Sequence, residues 1–166
     1  GEELASNLGE AAAFTTTDVS DPDQCRNLVD AAVNEFGGVD YLINNAVTYE
    51  DGGYDADFDT WVNGFSVNTI GGIMLMKACR PVMRERGGGS VVFMSSISGH
   101  RAQPGRWVYN ATKAANIQVT KSAALELADD DIRVNCVAPG WTLSDPLEGL
   151  SGGDKEKYNE EWGQFH

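Results

Sequence analysis

At 166 residues and 17.9 kDa, with a hydrophobic fraction of 42%, the chain is the size of one domain. It is able to bury a core without a disulfide or metal staple and too short for a second catalytic domain. Twelve Lys and Arg against 25 Asp and Glu give a formal charge of −13, which repels nucleic-acid phosphate and anionic lipid alike, so neither is expected as a partner.

In chain order, residues 12–17 form a short β-prone run. Asp21 then reads as an N-cap with Pro22 in the first turn of a helix that runs to Phe36 and stops at Gly37 and Gly38. Residues 39–43 (VDYLI) read as a strand with few polar residues, and residues 44–57, rich in Gly and Asp, as loop. From 58 to 86 apolar residues recur at helical spacing (Ile70, Met74, Leu75, Ala78), which predicts one or two helices closing on Arg84, Arg86 and three glycines. A strand at 90–94 (SVVFM), a long helix at 109–128 and a strand at 133–137 (RVNCV) complete the pattern. Strands alternating with long helices imply parallel βαβ units and a doubly wound α/β sheet, with helices on both faces. The chain is read as one domain, residues 1–140 forming the sheet-and-helix core and 141–166, polar and Gly-rich, a substrate flap.

Acidic residues are spread along the chain, at 51–59, 129–131 and 156–161, either as a solvated surface or as adaptation to high salt. Cys25, Cys79 and Cys136 are odd in number and more than fifty residues apart, a spacing that supports neither a disulfide framework nor a metal site. With no apolar leader and no run of 18 apolar residues, a cytoplasmic protein is expected.

Tyr109 and Lys113 stand four apart near the start of a predicted helix and so share a face. A neighbouring ammonium favours the phenolate, which opens proton transfer at an oxygen to a side chain that is otherwise neutral at pH 7. Alone, the pair is as readily an ordinary surface contact. Ser96, 13 residues earlier, lies at the carboxyl end of the SVVFM strand, where loops of a parallel sheet collect ligands. A Ser-His hydrolase built on Ser96 and His100 is the natural rival, but no G-x-S-x-G elbow surrounds Ser96.

These residues, together with Asn44-Asn45-Ala46 after a strand, Asn68 in V-N-x-x-x-G, Tyr109-Asn-Ala-Thr-Lys113 and Pro139-Gly140 after the last strand, resemble the single-domain branch of the short-chain dehydrogenase/reductase family. The match in order and spacing runs from Asp18 to about Ser144. It implies an NAD(P)-dependent oxidoreductase that interconverts a secondary alcohol and a ketone, with a 3-oxoacyl compound, sugar or simple secondary alcohol as substrate. Tyr109 is then the acid/base at the substrate oxygen, Ser96 holds that oxygen, and Lys113 lowers the Tyr109 pKa and binds the nicotinamide ribose. Asn68 holds, in relatives, a water reached through a local break in its helix. The resemblance places Asp18 and Val19 at the adenine, and Asn44, Asn45 and Ala46 against the cofactor. Pro139, Gly140, Thr142 and Ser144 fall beside the nicotinamide. Duller roles stand beside these: Asp18 as a strand terminator, Asn44 and Asn45 as turn formers. Val47 stands where relatives usually carry Gly, so the loop there is either shifted or narrows the cleft.

Relatives open with a strand and a T-G-x-x-x-G-x-G turn that cradles pyrophosphate. Against that pattern the sequence reads as truncated at both ends, without the first two strands and the last helix and strand. The residue that separates NAD from NADP lies in the missing part. Two strands would then lack partners, which predicts a marginal fold for the chain alone. The alternative reading is a catalytically incompetent fragment or an assembly module; an epimerase or dehydratase that uses the cofactor transiently is a third. Substrate choice would rest on residues 97–108, including His100, Gln103 and Trp107, and on the 141–166 flap. A homotetramer or dimer through the helices at 68–86 and 109–128 is implied by the resemblance alone.

Overall fold

The computed structural model describes residues 1–142. Three strands, β1 (Tyr41–Asn44), β2 (Gly89–Met94) and β3 (Ile132–Val137), form one parallel sheet in the order β1-β2-β3. The helices are α1 (Glu2–Leu8), α2 (Pro22–Phe36), α3 (Phe58–Phe65), α4 (Gly71–Glu85) and α5 (Trp107–Glu126). Between α3 and α4 the chain makes a π turn at Ser66–Ile70, so the predicted helical stretch is two helices joined by a local widening.

Local chemistry explains α2 most directly. The Asp21 carboxylate accepts the N–H groups of Asp23 and Gln24, Pro22 occupies the first turn, and Gly37 closes the helix in the left-handed region at φ 78°. Arg26 and Asp23 pair on its exposed side. Its buried face, Cys25 and Val29, joins Leu75, Cys79 and Met83 of α4 and the β2 residues Val91 and Phe93 in one apolar core. The start of α4 meets the segment before α2 at Gly71 and Val19 and the sheet at Gly72, whose backbone lies against the Phe93 ring while its carbonyl accepts the Asn44 amide at 3.3 Å.

The run 12–17 takes no regular secondary structure and pairs with no strand among the described residues, so the expected first strand is corrected to largely exposed coil: β propensity makes a strand only where a ladder partner accepts its N–H groups. Helices α2, α4 and α5 all contribute to the same core. Alternate side chains of β1, Tyr41 (74%) and Ile43 (56%), are exposed, as is Val137 on β3. The two-sided cover expected of a doubly wound sheet is therefore present on one face of these residues, and α1 adjoins the turn that follows it and, at its N-cap, the Phe14 ring. Among the described residues no helix is long and apolar enough to cross a membrane.

The tight seat of α4 is open to test. A methyl group added at Gly72 meets Phe93 Cε1 at 2.8 Å and the Asn44 side chain at 3.1 Å. Gly72→Ala is expected to cost about 1–3 kcal/mol in urea unfolding; a change within about 0.5 kcal/mol would show that α4 is free to shift off the sheet.

Candidate active site

Parallel strands deliver their carboxyl ends to one edge, and the chain uses that edge to gather three segments. Ser95 N–H donates to the Val137 carbonyl at 2.7 Å and Ile97 N–H to that of Pro139 at 3.0 Å, so the loops after β2 and β3 run side by side. The β2 loop also leans on α5, where the Ser95 hydroxyl donates to the Lys113 carbonyl at 2.7 Å. Ser96 therefore faces the first turns of α5, which carry Tyr109 and Lys113.

These three side chains come together. The Ser96 hydroxyl stands close enough to the Tyr109 phenol to favour its ionised form and donates to the Ser98 hydroxyl at 3.1 Å. Among the described residues no histidine joins it: His100 instead lines a neighbouring cleft of about 430 Å3 with Trp61, Gln103, Trp107 and Asn110, which Tyr109 does not line. The Lys113 ammonium, 4% exposed as a residue, lies 5.4 Å from the centre of the Tyr109 ring and donates to the Met94 carbonyl at 2.7 Å.

Burial governs the protonation of this pair. It pushes the Tyr109 phenol above its ordinary value, the Ser96 hydrogen bond and the Arg106 charge opposing the rise and Tyr49 adding to it. It pushes the Lys113 ammonium below its ordinary value, against the Cys136 thiol, which favours the charge. The direction for Tyr109 is thus opposite to the one that the Tyr-Lys spacing suggests, because loss of water around the phenol outweighs the Ser96 hydroxyl and the Arg106 charge. Two of the thiols are no rivals as nucleophiles: burial drives Cys79 up to about 11 and raises Cys25 as well.

Asn68 sits inside the π turn, 6% exposed. Its side chain clamps Thr48, accepting the Thr48 N–H at 2.7 Å and donating to the Thr48 carbonyl at 3.0 Å and to the Thr112 hydroxyl at 3.3 Å. The π turn frees the Asn68 carbonyl, and the Asn116 amide takes it at 2.9 Å. The local break implied by the resemblance is present, and Asn116, one turn beyond Lys113, is a partner the motif does not name.

The remaining predicted residues are placed as follows. One Asp18 oxygen accepts both the N–H and the hydroxyl of Ser20, at 2.9 and 2.7 Å, which holds its carboxyl below the usual range. Val19 abuts Gly71. Asn44 ties β1 to α4, while Asn45 and Ala46 are exposed and Val47 half-buried where β1 ends. Pro139 lies beside the Ser96 loop, Gly140 faces open space, and Thr142 N–H donates to the Gly140 carbonyl. Ser144 and nearly all of the predicted flap lie outside the described residues.

Sequence reasoning missed the loop that covers Tyr109. Tyr49 stacks on its ring at 5.6 Å, and the Arg106 guanidinium lies 5.8 Å from the ring centre. The Asp51 carboxylate accepts the Tyr109 N–H at 2.7 Å. Arg106, three residues before Tyr109, was open to a helix-spacing argument; Tyr49 and Asp51, about sixty positions away, carried no local signal.

A family model described as enoyl-(acyl carrier protein) reductase matches residues 1–165. The chain is 40% identical over 141 residues to dehydrogenase/reductase SDR family member 4 of Bos taurus, covering 82% of this chain and 50% of that protein. It is 36% identical over 164 residues to galactitol 2-dehydrogenase of Agrobacterium fabrum (strain C58 / ATCC 33970), covering 92% and 64%. Thus it spans about half to two thirds of the length of these curated relatives. A short-chain dehydrogenase from Streptomyces avermitilis superposes with a TM-score of 0.80 at 32% identity, over 87% of this chain and 54% of that one.

Ultraviolet difference titration tests the electrostatics. The tyrosine missing from Tyr109→Phe should ionise above the ordinary phenol value, and Arg106→Met, which removes a positive neighbour, should move it upward by about half a pH unit. An unmoved or lowered value, over the pH range where circular dichroism is constant, would show that the guanidinium does not act on the phenol.

Proposed function

The chain belongs to the short-chain dehydrogenase/reductase family, and from that premise we propose that the protein is an NAD(P)-dependent oxidoreductase interconverting a secondary alcohol and a ketone. The observation that carries this reading is the convergence of the Ser96 hydroxyl, the Tyr109 phenol and the Lys113 ammonium at the carboxyl edge of a parallel sheet.

Several features fit a nicotinamide nucleotide at this edge. An ammonium has three donors; Lys113 commits one to Met94 while almost wholly buried, so acceptors such as a ribose diol suit the other two. Asn45 and Ala46 are exposed where β1 ends, and among the described residues nothing fills the space at Gly140. Lys113 would hold the ribose hydroxyls, Ala46 and Gly140 would bound the nicotinamide, and Asp18 and Val19 would meet the adenine. When bound, the cofactor supplies or accepts the hydride.

The chain's own residues manage the proton. In reduction the Tyr109 phenol donates its proton to the carbonyl oxygen, and in oxidation the phenolate takes it from the hydroxyl. Ser96 donates a hydrogen bond to the same oxygen and fixes its distance from Tyr109. A phenol raised by burial is a weak acid in a dry site, so the Ser96 bond and the positive charges of Arg106 and Lys113 matter most as charge develops on the phenolate. For substrate we propose a sugar alcohol, a simple secondary alcohol or a 3-oxoacyl compound, and for the working state a homo-oligomer in the cytoplasm.

Spectrophotometric assay of the intact protein with NAD+ and NADP+ against galactitol and cyclohexanol, and with NADH and NADPH against acetoacetyl-coenzyme A, tests the reading. Net change of cofactor is expected with at least one pair. Tyr109→Phe should lower turnover at least about 1000-fold while cofactor affinity, read by nicotinamide fluorescence, stays within about twofold. Unchanged turnover would remove Tyr109 from its role, and cofactor binding without net turnover on any substrate would favour the transient-cofactor chemistry of an epimerase.

A further inference from the structure

Helix α5 has no cap of its own. Its N-cap residue, Arg106, makes no side-chain capping bond, yet the helix starts at Trp107, two residues before the position its sequence predicts. The missing acceptor arrives from a distant loop. Asp51 Oδ1 accepts the N–H groups of Gly52 (2.9 Å), Gly53 (3.0 Å) and Val108 (3.3 Å), and Oδ2 accepts that of Tyr109 at 2.7 Å. Burial by itself would raise this carboxyl; the four N–H groups outweigh it and hold Asp51 below the ordinary carboxylate range.

Three independent contacts press the same loop to the same turn. Gly53, at φ +56°, lies so close to Gly105 that a Cβ would meet the Gly105 Cα at 2.9 Å. Tyr49 stacks on Tyr109, and Tyr54 meets Trp107 edge to face at 5.4 Å. Upstream, Asn68 grips both backbone groups of Thr48. The loop is thus fastened at both ends, with Asp51 as its one charged fastening to α5.

We propose that Asp51 is the positioning residue for Tyr109: its bidentate carboxylate fixes the backbone of the turn that aims the phenol at Ser96, and its negative charge offsets the helix N-terminus behind the phenol. The proposal rests on the reading of Tyr109 as the acid/base. The two oxygens are not interchangeable with an amide, because one serves the loop's own turn and Val108 and the other the Tyr109 N–H. Asparagine has a single acceptor oxygen, so one side of the tie faces an NH2 donor. Titratable and charged groups facing Tyr109 are Arg106 and Lys113 on α5, Tyr49 and Asp51 on the loop, and, across β3, the Cys136 thiol that faces Lys113. A carboxylate with a lowered pKa contributes its tie in full above the unfolded value and loses it only as pH falls through the folded one, so at neutral pH Asp51 is charged throughout.

The test measures alcohol oxidation by the intact protein with the most active alcohol and cofactor pair of the panel above. Asp51→Asn is expected to lower kcat about tenfold, since misplacement of a reacting group is costly, with the KM for cofactor within about twofold. It should also shift the ascending limb of the pH profile, where the phenol ionises, down by about half a unit, because an uncompensated helix N-terminus favours the phenolate. Hydrogen exchange should lose protection at the Val108 and Tyr109 amides. Asp51→Glu, which keeps the charge but displaces it, should lower kcat without moving the pH profile. A variant that loses thermal stability yet keeps wild-type kcat and pH profile would overturn the proposal, because a merely structural tie behaves that way. Should Asp51→Asn not fold, Asp51→Glu decides alone: wild-type kcat refutes the positioning role. Turnover surviving in Tyr109→Phe would instead refute the premise about Tyr109 and is read separately.

Discussion

One buried positive charge organises the carboxyl edge of this sheet. Lys113 is 4% exposed in a chain whose charge is carried mostly on its surface, and taking an ammonium out of water is costly unless acceptors or π electrons replace the lost hydration. The Met94 carbonyl at the end of β2 and the Tyr109 ring do so in part. The same loss of water raises the phenol and lowers the ammonium. Two groups whose ordinary values lie close together are therefore driven toward one another. A proton near Tyr109 is held more tightly than in water while Lys113 gives its own up more easily, which makes the pair responsive to whatever charge or hydrogen bond enters the cleft.

Elements whose chemistry is local were legible in the sequence. Asp21, Pro22 and Gly37 mark α2 to the residue, because cap, first turn and stop all lie within the helix's own flanks. The buried strands β2 and β3 were found to within one residue, their apolar runs being long enough to exclude a helix turn. The run 12–17 shows the converse. Its composition suits a strand, but a strand is a relation between two segments, and no partner pairs with it among the described residues. The start of α5 was misread for a related reason, since the carboxylate that caps it lies more than fifty positions earlier.

The site follows the same division. Ser96, Tyr109 and Lys113 were singled out by strand end, helix spacing and the motif order that carries the family resemblance, all of them readable along the chain, and the structure places the three side chains near one another. The shell around them is non-local. Asn68 was expected at a helix break, but what the break does depends on two other segments: its side chain holds Thr48, and its freed carbonyl receives Asn116 from α5. A π turn leaves a main-chain carbonyl without its usual partner, and a buried carbonyl needs another. Here Asn116 supplies it, so the widened turn joins α3, α4 and α5 into one support beneath Lys113.

The Asp51 tie also decides what the N-terminus of α5 can offer a ligand. Helix N-termini attract phosphate and carboxylate because their first N–H groups have no partners and their dipoles favour negative charge. In α5 the Val108 and Tyr109 N–H groups already serve the Asp51 carboxylate, and its charge meets the dipole. An anionic part of cofactor or substrate gains little there and must find its donors elsewhere on the edge. What the cleft presents near the phenol is instead the Lys113 ammonium and the Arg106 guanidinium, side-chain cations whose pull on the phenol is strongest once it has lost its proton. An acid on the loop thus leaves the positive charge around Tyr109 to side chains, which can follow the reaction, rather than to a backbone that cannot.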